Sequence, residues 1–183
     1  RLRRVSDCYI IKYTHEEIEM TDLKQTVFHD KHVEIGGKMV EFGGWHMPVQ
    51  YEKGIVHEHL ATRNHAGLFD VSHMGRFIFS GDQTLEFLQH VLSNNCSGLL
   101  QGQSQYTIIQ NEKGGAIDDS YLYRFEEDEY FLVVNASNKD KNWDYFQTQL
   151  KKYPSVKLVD KSDEIAMLSL QGPKAKDIIL SLT

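Results

Sequence analysis

Two spacings of apolar residues alternate along the chain, and the changes between them mark its elements. Ile55, Val56, Leu60 and Ala61 fall on helical spacing, with Gly67 as the expected C-cap. Leu85, Leu88, Val91 and Leu92, with Phe87 beside them, predict a helix over 84–92 that Asp82 would cap. Trp143, Phe146 and Leu150 predict another, capped by Asn138 or Asp140. A short helix should end at Gly36-Gly37, followed by an extended segment from Lys38 to Phe42. Extended patterns occur in "GRFIFSG", "EYFLVVNA" and "EIAMLSLQG". "QYTIIQN" and "GAIDDSYLYRF" flank Glu112–Gly115 and predict a β-hairpin. Pro173 suits the first position of a last helix. Strands in antiparallel runs, mixed with helices, predict an α+β fold: antiparallel sheets with packed helices.

That last helix reaches Thr183 with Ile178, Ile179 and Leu182 on one side, which needs something to cover it. The pattern leads us to expect a piece of a longer protein, incomplete at its C-terminus. Residues 1–19 look unlike the rest and read as an atypical leader, which leaves 20–183 as one folded unit.

Charge narrows the function classes. The formal net charge of −6 disfavours nucleic acid as a partner, because phosphate binding needs a basic face. No apolar run approaches the length of a membrane span. Cys8 and Cys96 cannot build a disulfide framework, so free thiols in a reducing compartment are expected. Without a secretory signal, the sequons at Asn95 and Asn135 read as chance matches. His57, His59, His65 and His73 lack metal-ligand spacing, so no metal is expected. "GGKMVEFGGWHMPVQY" reads as an unusual glycine-rich loop, but no helix follows in position to cradle phosphate.

Two stretches carry candidate chemistry. In "GAIDDSYLYRF" alternate residues share a strand face, so Asp119 points with Ile117, Tyr121 and Tyr123, and Asp118 points the other way. Both aspartates could be solvated turn residues. Alternatively, one carboxylate lies against aromatic walls, an arrangement that suits a planar heterocycle. In "GLFDVSHMG", Asp70 could cap a turn and Met74 could line a pocket, while His73 reads as a satisfied histidine.

Five segments in order, "GGKMVEFGGWHMPVQY", "HLATRNHAGLFDVSHMG", "QYTIIQNEKGGAIDD", "FLVVNASNKDKNWDY" and "LSLQGPKA", resemble successive motifs of the glycine cleavage system T-protein (aminomethyltransferase) family. The resemblance runs over roughly residues 24–183 and is to the N-terminal half of that family's longer chains. It implies a folate-binding fold around a central channel. It also implies transfer of a one-carbon unit from an aminomethyl-lipoyl H-protein to tetrahydrofolate as co-substrate, with release of ammonia. Asp119 would be the catalytic carboxylate. Met74, Tyr106, Tyr123, Val134 and Asn135 would line the folate site. The compartment would be the bacterial cytoplasm or the mitochondrial matrix. The same architecture also serves folate-dependent demethylases of small methylated substrates, and a non-catalytic folate-binding module is a further alternative. Ser120 and Tyr121 stand where the family usually has aliphatic residues, and Tyr121 would narrow the pocket.

Overall fold

The structure is a computed structural model that describes residues 23–182. The leader read over 1–19, with Cys8, and Thr183 lie outside the described residues. The fold is α+β.

Its principal sheet has five strands: β4 (Gly75–Ser80), β5 (Ser104–Gln110), β6 (Ala116–Arg124), β7 (Glu129–Val134) and β8 (Lys157–Asp160). Their order is β5-β6-β7-β4-β8, and each neighbouring pair is antiparallel. The expected hairpin joins β5 to β6. Asn111 shapes its turn: Oδ1 accepts from the backbone N–H groups of Lys113 (2.9 Å) and Gly115 (3.0 Å).

Alternation along these strands separates a dry face from an open one. Leu122, Leu132, Val134, Phe77 and Phe79 are buried under two helices, α3 (Thr84–Val91) and α4 (Lys139–Leu150). The aromatic rings there meet edge to face. Phe79 lies 5.3 Å from Phe146, and Phe77 lies 6.3 Å from it. Each such side chain contributes about 1.5–3 kcal/mol through burial, so this layer carries most of the stability. Cys96 also lies here, and burial pushes its thiol pKa up to about 11.

The remaining elements flank that sheet in sequence. Before it come α1 (His29–Glu34), a hairpin of β1 (Lys38–Phe42) and β2 (Trp45–Gln50), then α2 (Gly54–Asn64) and β3 (Gly67–Asp70). After it come β9 (Leu168–Gln171) and α5 (Ala175–Leu182). β9 pairs antiparallel with β3, so the five-stranded sheet is inserted between the two strands of a ribbon. Arg76 ties the two connections together. Its buried guanidinium donates to the carbonyl oxygens of Ser72 and Met74, where the chain enters the sheet, and of Ser162, where it leaves. Asp70, at the end of β3, accepts from Thr26 Oγ1 (2.6 Å), His32 Nε2 (3.1 Å) and the Ser72 backbone N–H (2.9 Å). With Nε2 donating to a carboxylate, His32 Nδ1 is the acceptor for the Tyr51 hydroxyl at 2.7 Å.

Several expectations need correcting. Gly67 does not cap α2; His65 does, and Gly67 opens β3, where a Cβ would meet Thr62 Oγ1 at 2.3 Å. Asp82 does not cap α3: Gln83 is its N-cap and makes no side-chain capping bond. At α4, Asn138 holds the N-cap position without a capping bond, because its side chain is engaged elsewhere. Pro173 lies in the turn ahead of α5, which starts at Ala175. The glycine-rich loop is a hairpin. Gly43 (φ 58°) and Gly44 (φ 85°) form the two-residue positive-φ connection that joins twisted strands without splaying them.

Gly172, in the turn between β9 and α5, approaches backbone closely. Its φ is 114°, and a Cβ there would lie 2.5 Å from the Thr62 carbonyl oxygen and 2.6 Å from that of His65. Gly172→Ala should therefore cost about 2–4 kcal/mol, from strain plus overpacking, visible as a lower urea midpoint at unchanged slope. A midpoint equal to wild type would mean that the β9–α5 turn tolerates a side chain.

The ribbon also predicts acid sensitivity. Burial opposes ionisation of Asp70, but hydrogen bonds from Thr26, Ser72 and His32 outweigh it and hold the carboxyl below its ordinary 3.8. A depressed native pKa gives stability that is complete above the unfolded value and is lost as pH falls through the native one. Between about pH 6 and about pH 2, wild type should therefore lose stability more steeply than Asp70→Asn, as read from urea midpoints. Parallel curves would show that Asp70 adds no pH-dependent stability.

Candidate functional site

The open face of the five-stranded sheet carries a row of aromatic residues beside one carboxylate. Register places Tyr121 opposite Tyr106 on β5 and opposite Val133 on β7, and Tyr123 opposite Phe131. The Tyr121 and Tyr123 rings lie 5.2 Å apart, and Phe131 lies 6.0 Å from Tyr123. Tyr106 is 54% exposed and Tyr121 39%, so their rings offer free surface. Asp119 stands on this face, diagonal to Tyr106, with Ile108 directly across. The neighbouring Asp119 carboxylate, through hydrogen bonding and charge, raises the pKa of the Tyr106 phenol.

The same register gathers three more residues at one end of the sheet. Gly75 pairs with Val134, and Val134 with Ser120. The next residue outward on each strand is Met74, Asn135 and Asp119 respectively. Asn135 Nδ2 donates to Asp119 Oδ1 at 2.8 Å and to Asp118 Oδ1 at 2.9 Å. Val134 is placed differently from the others. Its side chain is fully buried in the core against Gly75, so only its backbone borders this end of the sheet.

The reading of both aspartates as solvated turn residues fails for Asp118. It is buried and accepts four N–H groups: Asn138 Nδ2 (2.7 Å), Asn142 Nδ2 (2.7 Å), Asn135 Nδ2 (2.9 Å) and the Asn135 backbone (3.3 Å). The cluster stitches β6 to the turn between β7 and α4. Sequence reasoning passed over Asn138 and Asn142 as partners. The signal was present, because 135, 138 and 142 stand three and four apart and so share one face of a helical turn.

Outside this face, a cavity of about 330 Å³ lies beside Tyr51, His32, Glu58 and Asp70, and one of about 370 Å³ lies beside Arg76 and Trp45. His73 packs edge-on to Phe42 at 5.8 Å. Its Nδ1 is buried without a partner, and burial lowers its pKa. Among the described residues, no three His, Cys, Asp or Glu side chains are arranged to hold a metal ion. No described helix is long and apolar enough to cross a membrane.

The site is thus a carboxylate held by an asparagine at the rim of a flat aromatic sheet face, in an α+β domain. Residues 28–183 match the family described as the GCVT N-terminal domain, and the chain belongs to that family. An aminomethyltransferase from Deinococcus deserti is 49% identical over 159 residues, covering 87% of this chain and 44% of that protein. One from Symbiobacterium thermophilum is 45% identical over 162 residues, covering 87% and 43%. The crystal structure of glycine cleavage system aminomethyltransferase T from Bartonella henselae superposes with a TM-score of 0.82 at 35% identity, over 87% of this chain and 43% of that one. The chain therefore spans less than half the length of these relatives.

The two aspartates should separate cleanly under mutation. Asp118→Asn turns an acceptor for four N–H groups into a group that must bring an amide among them, and should cost about 2–4 kcal/mol. Asp119→Asn, on the open face, should change stability by less than about 1 kcal/mol. Thermal melts of both variants check this. Equal losses would show that the asparagine cluster does not depend on the buried carboxylate.

Proposed function

We propose that this chain provides the folate-facing wall of an aminomethyltransferase, which moves the one-carbon unit of an aminomethyl-lipoyl H-protein to tetrahydrofolate and releases ammonia. The observation that carries this reading is the Asp119 carboxylate fixed beside Tyr106, Tyr121 and Tyr123 on an exposed sheet face. The residues fit the ligand. A pterin has a planar π face for the tyrosine rings to pack against, and N–H groups that a carboxylate can accept. The relatives' shared name, aminomethyltransferase, favours transfer over demethylation.

Tetrahydrofolate supplies the nitrogen nucleophiles that receive the carbon. Asp119 has two tasks toward it. Its carboxylate accepts a hydrogen bond from the bound ring system and so sets its orientation. It also places a fixed negative charge where positive character grows on the transferred carbon as the bond to the departing amine breaks. A charge already oriented before the reaction stabilises that change without reorganisation. Met74 borders the same end of the sheet as Asp119, Tyr123 extends the aromatic surface further along β6, and Asn135 holds the carboxylate. We assign residues 20–183 to the N-terminal part of the folate-binding unit, with 1–19 preceding it.

The test is turnover by the full-length gene product with aminomethyl-loaded H-protein and tetrahydrofolate. Asp119→Asn should lower the rate at least about tenfold, or about 1.4 kcal/mol, while the protein stays folded. Wild-type rates in that variant would remove Asp119 from the chemistry. A wild-type protein that transfers nothing to tetrahydrofolate would overturn the whole reading.

A further inference from the structure

We propose that Asn135 and the buried Asp118 are positioning residues, an amide relay that holds the Asp119 carboxylate in one orientation on the tyrosine face. The inference rests on the role given to Asp119 above.

An exposed aspartate on a strand has staggered χ1 wells open to it, and its carboxylate turns freely. Asp119 is not left in that state. Asn135 Nδ2 carries two hydrogens and stands 2.8 Å from Asp119 Oδ1 and 2.9 Å from Asp118 Oδ1. The two shortest contacts give one hydrogen to each carboxylate, and the Asp119 carbonyl oxygen lies 3.2 Å away as a weaker third acceptor. The orientation of the amide follows from its partners, because a flipped group would set its oxygen against two carboxylate oxygens. The anchor at the far end is rigid. Asp118 is held at the same time by Asn138, Asn142 and the Asn135 backbone, and Asn142 sits fully buried in α4. Rigidity therefore runs from the helix through Asp118 and Asn135 to Asp119. The amide also lies between two like charges on adjacent residues, which would otherwise push the outer carboxylate away. Asn135 thus acts through Asp119, and its effect should fall on the chemical step.

Asn135→Ser in the full-length gene product tests this. It removes the amide but leaves Asp118 bonded to Asn138, Asn142 and the backbone N–H, so the fold is kept. We expect kcat to fall about tenfold with the KM for tetrahydrofolate within about twofold. In an Asp119→Asn background, the same substitution should add no further loss. A second readout is independent of turnover. The Tyr106 hydroxyl, whose pKa the neighbouring Asp119 raises above 10.0, should titrate closer to that value in Asn135→Ser, followed by carbon-13 NMR at Tyr106 Cζ. A raised KM with unchanged kcat would make Asn135 a direct ligand contact and overturn the proposal. So would an unmoved Tyr106 titration, since the carboxylate would then hold its place without the amide. If the wild-type protein proves inactive with tetrahydrofolate, the functional reading falls, while the Tyr106 titration still decides the relay.

Discussion

Everything on the open face depends on one buried carboxylate. Asp118 removes a charge from water, a cost that only a full set of donors offsets. Three asparagine amides and a backbone N–H supply that set. To do so, the turn after β7 must bring Asn135 over the end of β6, and α4 must start where Asn142 faces inward. The same constraint explains why Asn138 makes no capping bond to its own helix. Its amide is committed to Asp118, which ties the start of α4 to the sheet more firmly than a local cap would. The helix that roofs the core and the asparagine that borders the site are thus placed by one set of hydrogen bonds.

Strand β6 shows how a single segment serves two purposes. Its inward residues, Asp118, Ser120 and Leu122, are buried, and its outward residues, Asp119 and Tyr121, are exposed. A one-residue slip of register would exchange the two sets and put a tyrosine pair where Leu122 packs. Register is held by the core layer below, by the Asn111 turn at one end and by the Asp118 cluster itself. Ser120, which stands where an aliphatic residue was expected, is accommodated at the inner face beside the Thr107 carbonyl oxygen. The outer face is therefore free to vary, and Tyr121 changes the shape of that surface without cost to the core.

Legibility in the sequence followed the strength of the period. The β5–β6 hairpin, β7 and the α3 and α4 faces could be read because apolar spacing there is driven by a real core. The hairpin of β1 and β2 was missed because its strands are only partly buried. Met47 alone among them is fully covered, so no alternation shows. Asn138 was read correctly as the N-cap position of α4, but not its missing capping bond, because its side chain has a stronger tertiary partner. Gly67 read as a C-cap by position, whereas its actual constraint is close approach to Thr62 across the chain, which spacing cannot reveal. The outward placement of Asp119 was readable from alternation alone. The opposite direction of Asp118 was readable in the same way, but its burial was not, because burying a carboxylate depends on donors that come together only in three dimensions.

A sheet face is a wall rather than a pocket, and this limits what these residues do by themselves. Tyr106 and Tyr121 remain about half exposed, so a planar ligand lying on them loses water from one of its two faces. Apolar contact scales with the area removed from water, so the second face carries a comparable share of any binding energy. That share must come from groups opposite the sheet. Meanwhile Ile55, Val56 and Leu60 on α2 and Leu180 and Leu182 on α5 stand exposed. The layer that orients Asp119 is complete within residues 75–160, because its hydrogen bonds and its core both close there. A layer that would enclose a ligand does not close there, and in relatives about twice as long it is their additional residues that could supply the opposite wall. Orientation and enclosure are thus separable: these residues determine where the carboxylate points, and the affinity of the site depends on what covers it.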